Sequence, residues 1–131
     1  MLKLPSDLRA LTALVLLPLL AATPAAAQSR DFTAFRAACI TSGAAFLIGE
    51  LPEGKDATPV MAVLCPCLET GFAELSQEEV DALEADLRTG SSVEARARFP
   101  AYETLQDKAA QVLGACISSP EVQSAAQTAG I

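Results

Sequence analysis

Four cysteines constrain this chain more than any other feature: Cys39, Cys65, Cys67 and Cys116. An even count in a small exported protein reads as two disulfides. Of the three pairings possible, Cys65 to Cys67 ranks last, because it would close a strained ring across Pro66. The other two each tie Cys39 and Cys116 to one member of the Cys-Pro-Cys pair, and both stay open. Their loops span roughly 26–28 and 49–51 residues, and each such bond adds about 3–4.5 kcal/mol. An ordinary domain has roughly 5–15 kcal/mol of stability in total.

The disulfide reading needs an oxidising compartment, and the N-terminus supplies one. Met1–Arg9 carries Lys3 and Arg9, with Asp7 diluting the charge. Ala10–Ala22 is apolar, Thr23 and Pro24 break it, and Ala25-Ala26-Ala27 offers small residues before Gln28. Charged, apolar, small is the order of a cleavable signal peptide. Thirteen apolar residues make about 20 Å of helix, short of the roughly 30 Å of hydrocarbon a membrane anchor must span. Residues 1–27 are therefore expected to be removed, with no stable membrane insertion afterwards. Gln28, not a cysteine, stands directly after the cleavage point, so no lipid-modified N-terminus is expected. The Ala-rich end and short charged start look bacterial, and the expected location is periplasmic or secreted.

Removing that segment changes the composition. Residues 28–131 keep 26 large apolar residues, with 19 alanines beside them. A chain of about 100 residues is one domain that buries roughly two-thirds of its unfolded surface, so the core is thin. The cysteines look like compensation for it.

Nothing alternates at period two for long enough to make a strand, and the pattern reads as helices with punctuated loops. The expectation is all-α, a small bundle of about four helices over residues 28–120, with 121–131 as a flexible tail. Phe32, Phe35, Cys39, Gly43 and Phe46 form a helical stripe over 31–47. Leu51–Pro59 reads as a loop ending in Thr58 as N-cap and Pro59 as first helical residue. The VMAVLCPCL run that follows is apolar on every side, which places its helix in the middle of the bundle. Pro66 should kink or interrupt it. Leu75–Val80 carries a capping box, Ser76 with Glu79, inside a hydrophobic staple of Leu75 and Val80. The helix after it turns Val80, Leu83 and Leu87 inward, pairs Glu84 with Arg88, and stops at Gly90. Ser91 and Glu94 offer a second capping box for a short helix. A last strong helix over 101–118 has Tyr102, Leu105, Ala109, Val112, Leu113, Cys116 and Ile117 on its inner face. Positions 65 and 67 point about 200° apart on a helix, so they face different neighbours. Disulfides need closer backbones than ordinary helix packing, and Ala37-Ala38 and Gly114-Ala115 beside the outer cysteines would permit it.

The chain resembles a group of small exported bacterial helical proteins that share a C…CxC…C pattern and have no agreed activity. The matching positions are Cys39, Cys65, Cys67 and Cys116, together with the Leu75–Val80 cap, and the resemblance spans most of residues 28–131. It implies a helical body and an exported location, and it implies no chemistry. Pro66 departs from the pattern, whose middle position is more often polar. The segment VLCPCL is also similar to the Cys-Pro-Cys segment in a membrane helix of copper-transporting P-type ATPases. Six residues match, and no ATPase motif accompanies them.

Function classes narrow by exclusion. The chain has no histidine, which removes His general bases and His metal ligands. Residues 28–131 hold seven basic and fifteen acidic side chains, so nucleic acid is not an expected partner. Eight acids and no base lie between Asp56 and Leu87: Asp56, Glu69, Glu74, Glu78, Glu79, Asp81, Glu84 and Asp86. They read as a solvated face; the sharper alternative is a docking face for a basic partner or a weak divalent-cation surface. Glu69 and Glu74 form no recognisable acid–base pair in sequence. The expected function is a non-enzymatic binding or interaction protein without a cofactor, acting on an unknown protein or an envelope component. The competing reading is a Cu(I)-binding or thiol-redox protein using Cys65 and Cys67, since soft thiolates suit Cu(I). The apolar surroundings and the lack of a nearby base argue for structural bonds instead.

Overall fold

The computed structural model describes residues 30–131, so the expected signal peptide at 1–27 lies outside the described residues. Six helices follow in order: α1 (Thr33–Leu47), α2 (Thr58–Gly71), α3 (Gln77–Thr89), α4 (Val93–Arg98), α5 (Tyr102–Ile117) and α6 (Pro120–Ala129). No strand occurs among the described residues. The helix with no polar face, α2, takes the central position, with α1, α5 and α6 packed around it.

The α1, α2 and α3 helices share an apolar core. Phe35, Met61, Leu64, Leu68, Val80, Leu83 and Leu87 are all buried there. The Phe35 and Phe72 rings meet edge to face at 5.7 Å between centroids, a favoured aromatic geometry. Gly43 lies where α1 faces Met61 and Leu87, and an added Cβ would sit 3.2 Å from the Met61 methyl. Phe46, expected on the inner stripe, is instead 41% exposed.

Local signals at α3 act as expected. The Ser76 hydroxyl accepts from Glu79 N–H at 3.2 Å, and the Glu79 carboxylate accepts from Ser76 N–H at 3.2 Å. Leu75 and Val80 are both buried, which completes the staple. Gly90 ends the helix in the left-handed region at φ 66°, where a Cβ would be strained.

Several expectations are corrected. Thr58 is the first residue of α2 rather than its N-cap, and the Asp56 carboxylate accepts from both Thr58 N–H and Thr58 hydroxyl. Pro66 does not interrupt α2, which runs through it to Gly71. Its missing N–H removes one backbone bond, and the central helix is held by neighbours on several sides. The Ser91–Glu94 capping box does not form: Ser92 is the N-cap of α4, and Glu94 bonds to Arg98 and Arg88.

Among the described residues the count is six helices rather than about four, because α4 stands as a separate element and the expected tail is itself helical. Ser119 Oγ accepts from Val122 N–H, Pro120 occupies the first turn, and Gly130 closes α6 at φ 69°. Pro120 starts this helix as well as following α5. Val122 is buried, and Ala125, Ala126 and Ala129 pack against the core, so α6 lies along α2.

Candidate functional site

The cysteines come together as two bonds on opposite flanks of α2. Cys39 of α1 joins Cys65, with Cα atoms 6.0 Å apart. Cys67 joins Cys116 of α5, with Cα atoms 5.9 Å apart. The open choice between the two pairings is thereby settled. Cys39 and Cys65 are completely buried, and no cysteine is free among the described residues. While bonded, Cys65 and Cys67 offer no thiolate to a metal.

The small residues that allow the approach are only partly those expected. Ala38 is buried beside Cys39. Gly114 faces open space, and an added Cβ there would touch nothing. The glycine that matters on the α5 side is Gly71, whose added Cβ would overlap the Val112 side chain. It lets the end of α2 lie directly against α5.

That arrangement leaves a groove. The α5 helix is tied to α2 and touches α4 and α6; it reaches α3 through the side chains of Tyr102 and Lys108 but is not closely packed along α1 or α3. The space between them has a volume of about 380 Å³. Phe35, Leu68 and Phe72 line it from the α1–α2 side, and Phe46, Leu47, Leu83 and Leu87 from the α1–α3 side. From α5 come Ala109, Ala110 and Leu113. Its polar members are Asp86, Gln106 and Asp107, and no basic residue lines it.

Asp86 is the functional candidate that sequence reading missed. It is 3% exposed, which corrects the expectation of a solvated face at this acid. The Tyr102 hydroxyl donates to its Oδ2, and the Gln106 amide donates to the Tyr102 oxygen at 3.0 Å. Oδ1 is buried and has no hydrogen-bond partner. Burial pushes the Asp86 carboxyl above its ordinary value, opposed by the Tyr102 hydroxyl and by the Arg96 charge. The Tyr102 phenol is pushed up to about 12 by burial and by the adjacent Asp86. Arg96 lies over the Tyr102 ring, 5.6 Å from its centroid. A signal for Asp86 did exist: it stands three residues after Leu83 and next to Leu87, on the inward stripe of α3.

The remaining acids mostly serve the fold. Glu69 holds Arg36 of α1 in a two-pronged pair at 2.7 and 2.8 Å, which raises the Arg36 guanidinium above its ordinary value. This commits Glu69 to an ion pair rather than to Glu74. Glu84 bonds Arg88, Asp81 accepts from Gln77, and Glu79 adds Lys108 to its capping role. Asp56 accepts from Thr58 at the start of α2, and its carboxyl is held below its ordinary value by the Thr58 hydroxyl and N–H. Among the described residues, no cluster of three or more His, Cys, Asp or Glu side chains is arranged to hold a metal ion. No described helix is long and apolar enough to cross a membrane. Compared with protein-family models, curated proteins and solved structures, the chain matches none.

Proposed function

We propose that this chain is an exported, non-enzymatic binding protein whose site is the groove between α5 and the α1–α3 face. One observation carries the reading: an apolar groove of about 380 Å³ is held open between helices that two disulfides fix to α2. Small-molecule sites have volumes of about 300–1,000 Å³, apolar walls and a few placed polar groups. The site here has that composition, at the small end of the range. A preset groove spends little free energy on ordering itself when a ligand arrives. Two disulfides suit an oxidising compartment, periplasmic or extracellular, where the partner is an envelope component.

The test is a fluorescence titration of the oxidised protein with N-phenyl-1-naphthylamine, a neutral apolar probe. Saturable one-to-one binding that disappears on reduction is expected. No saturable binding, or binding unchanged by Leu87→Lys at the groove wall, would sink the reading.

A further inference from the structure

We propose that the groove takes a small amphiphile bearing one protonated amine, its apolar body along α5 and its ammonium group on Asp86. The inference rests on the groove being the binding site and goes beyond it by naming the ligand's chemistry.

The two parts of the groove ask for different things. Its walls are aromatic and aliphatic, from Phe35 and Phe72 to Leu113, and they favour an alkyl or aryl body. Its polar members fall on Asp86 of α3 and on Gln106 and Asp107, toward the first half of α5. Two of these three are carboxylates and no cation balances them in the wall.

Asp86 supplies the second observation. Its residue is almost wholly buried and lines the groove, one oxygen has the Tyr102 donor, and Oδ1 has none. Buried polar atoms nearly always have a partner, and each exception calls for one. A cation brought beside Asp86 favours the ionised carboxylate, which only accepts, so the partner that fits Oδ1 in that state is a donor. Arg96 does not fill this place, because it sits over the Tyr102 ring and is absent from the groove wall. A protonated amine provides a donor and the opposite charge together, and charge-assisted bonds are about twice as strong as neutral ones. A carboxylate head would instead meet Asp86 and Asp107 with like charge.

The experiment compares three probes of one chain length on the oxidised protein at neutral pH: n-octylamine, 1-octanol and octanoate. Each is titrated by displacement of the naphthylamine. The amine is expected to bind about tenfold tighter than the alcohol, the scale of one charged hydrogen bond, with octanoate weakest. Asp86→Asn should bring the amine down to the alcohol and leave the alcohol unchanged. Glu74→Gln, which removes an exposed acid elsewhere, should alter neither. If Asp86→Asn does not fold, the ranking on the unaltered protein still decides, joined by amide shifts at Asp86 and Gln106 specific to the amine. Equal binding of amine and alcohol, tightest binding of octanoate, or an amine preference that survives Asp86→Asn overturns the inference while leaving the groove intact. Failure of all three probes, and of the naphthylamine itself, overturns the groove as a binding site.

Discussion

The two flanks of α2 carry one disulfide each, yet they are built differently. On the α1–α3 flank, Cys39–Cys65 is completely buried and belongs to the same core cluster as Phe35, Met61, Leu64 and Leu83. On the α5 flank, Cys67–Cys116 joins α2 to a helix whose inner face is only half covered. Ala109, Val112 and Leu113 are partly buried, and Ile117 is exposed. The first flank is a core that contains a disulfide. The second depends on fixed points: the disulfide, the Gly71–Val112 approach, and the Tyr102–Asp86 hydrogen bond. A helix pinned at both ends and thinly packed between them leaves room for a groove, whereas a continuously packed interface does not.

Breaking both bonds should have the largest effect. Loop separations of 26 and 49 residues give about 3.5 and 4 kcal/mol in the chain-entropy account. Their loss consumes half or more of the roughly 5–15 kcal/mol of stability of a domain this size. Full reduction should therefore abolish the cooperative thermal transition seen by circular dichroism, and a reduced protein that keeps it would contradict this view. Removing one bond at a time sharpens the contrast between flanks. Cys67→Ala with Cys116→Ala should cost about 4 kcal/mol and abolish probe binding while the α1–α3 core stays protected in hydrogen exchange. Equal loss of protection in α1 and α5 would show that the flanks are one cooperative unit.

Smaller effects follow at the other two fixed points. Gly71→Ala should cost about 1–3 kcal/mol through overlap with Val112, whereas Gly114→Ala should be neutral or slightly stabilising; chemical denaturation of both distinguishes them. Tyr102→Phe should cost about 1–3 kcal/mol, with a pH dependence. Asp86 has a folded value raised above its unfolded one, so the folded state holds its proton more tightly. Stability from this group is fully present below the unfolded value and falls as pH rises through the folded value. Removing the Tyr102 donor, which opposes the rise, deepens that fall. The penalty of Tyr102→Phe should thus be larger at about pH 7 than at about pH 3, near and below the carboxylate range; a pH-independent penalty would count against the linkage. Smallest is Ser76→Ala, about 1 kcal/mol from the lost cap, which belongs to the core flank and should leave probe binding intact.

Much of the fold was legible because its signals are local. The α3 cap needs only Ser76, Glu79, Leu75 and Val80, all within one turn of chain. The divergence of Cys65 and Cys67 follows from helical pitch alone. The α6 start is also written in Ser119-Pro120, a capping residue followed by a first-turn proline, where the composition of 121–131 alone suggests a tail. The site was less legible because its members come from four helices. Helical spacing places Tyr102 on the inward face of α5, and a buried phenol needs a partner. That the partner is Asp86, sixteen residues earlier, depends on how α4 turns the chain between them.

By itself, the amino-acid sequence determined the helical class, the central position of α2 and the involvement of both cysteines of the Cys-Pro-Cys pair with other helices. Those follow from residue spacing and side-chain polarity, which act over a few residues. Only the tertiary structure decided which cysteine meets which, that Gly71 rather than Gly114 allows the close approach, and that one acid of eight is buried beside an apolar groove. Those depend on the directions in which whole helices pack, set by the summed contacts of side chains far apart in the chain.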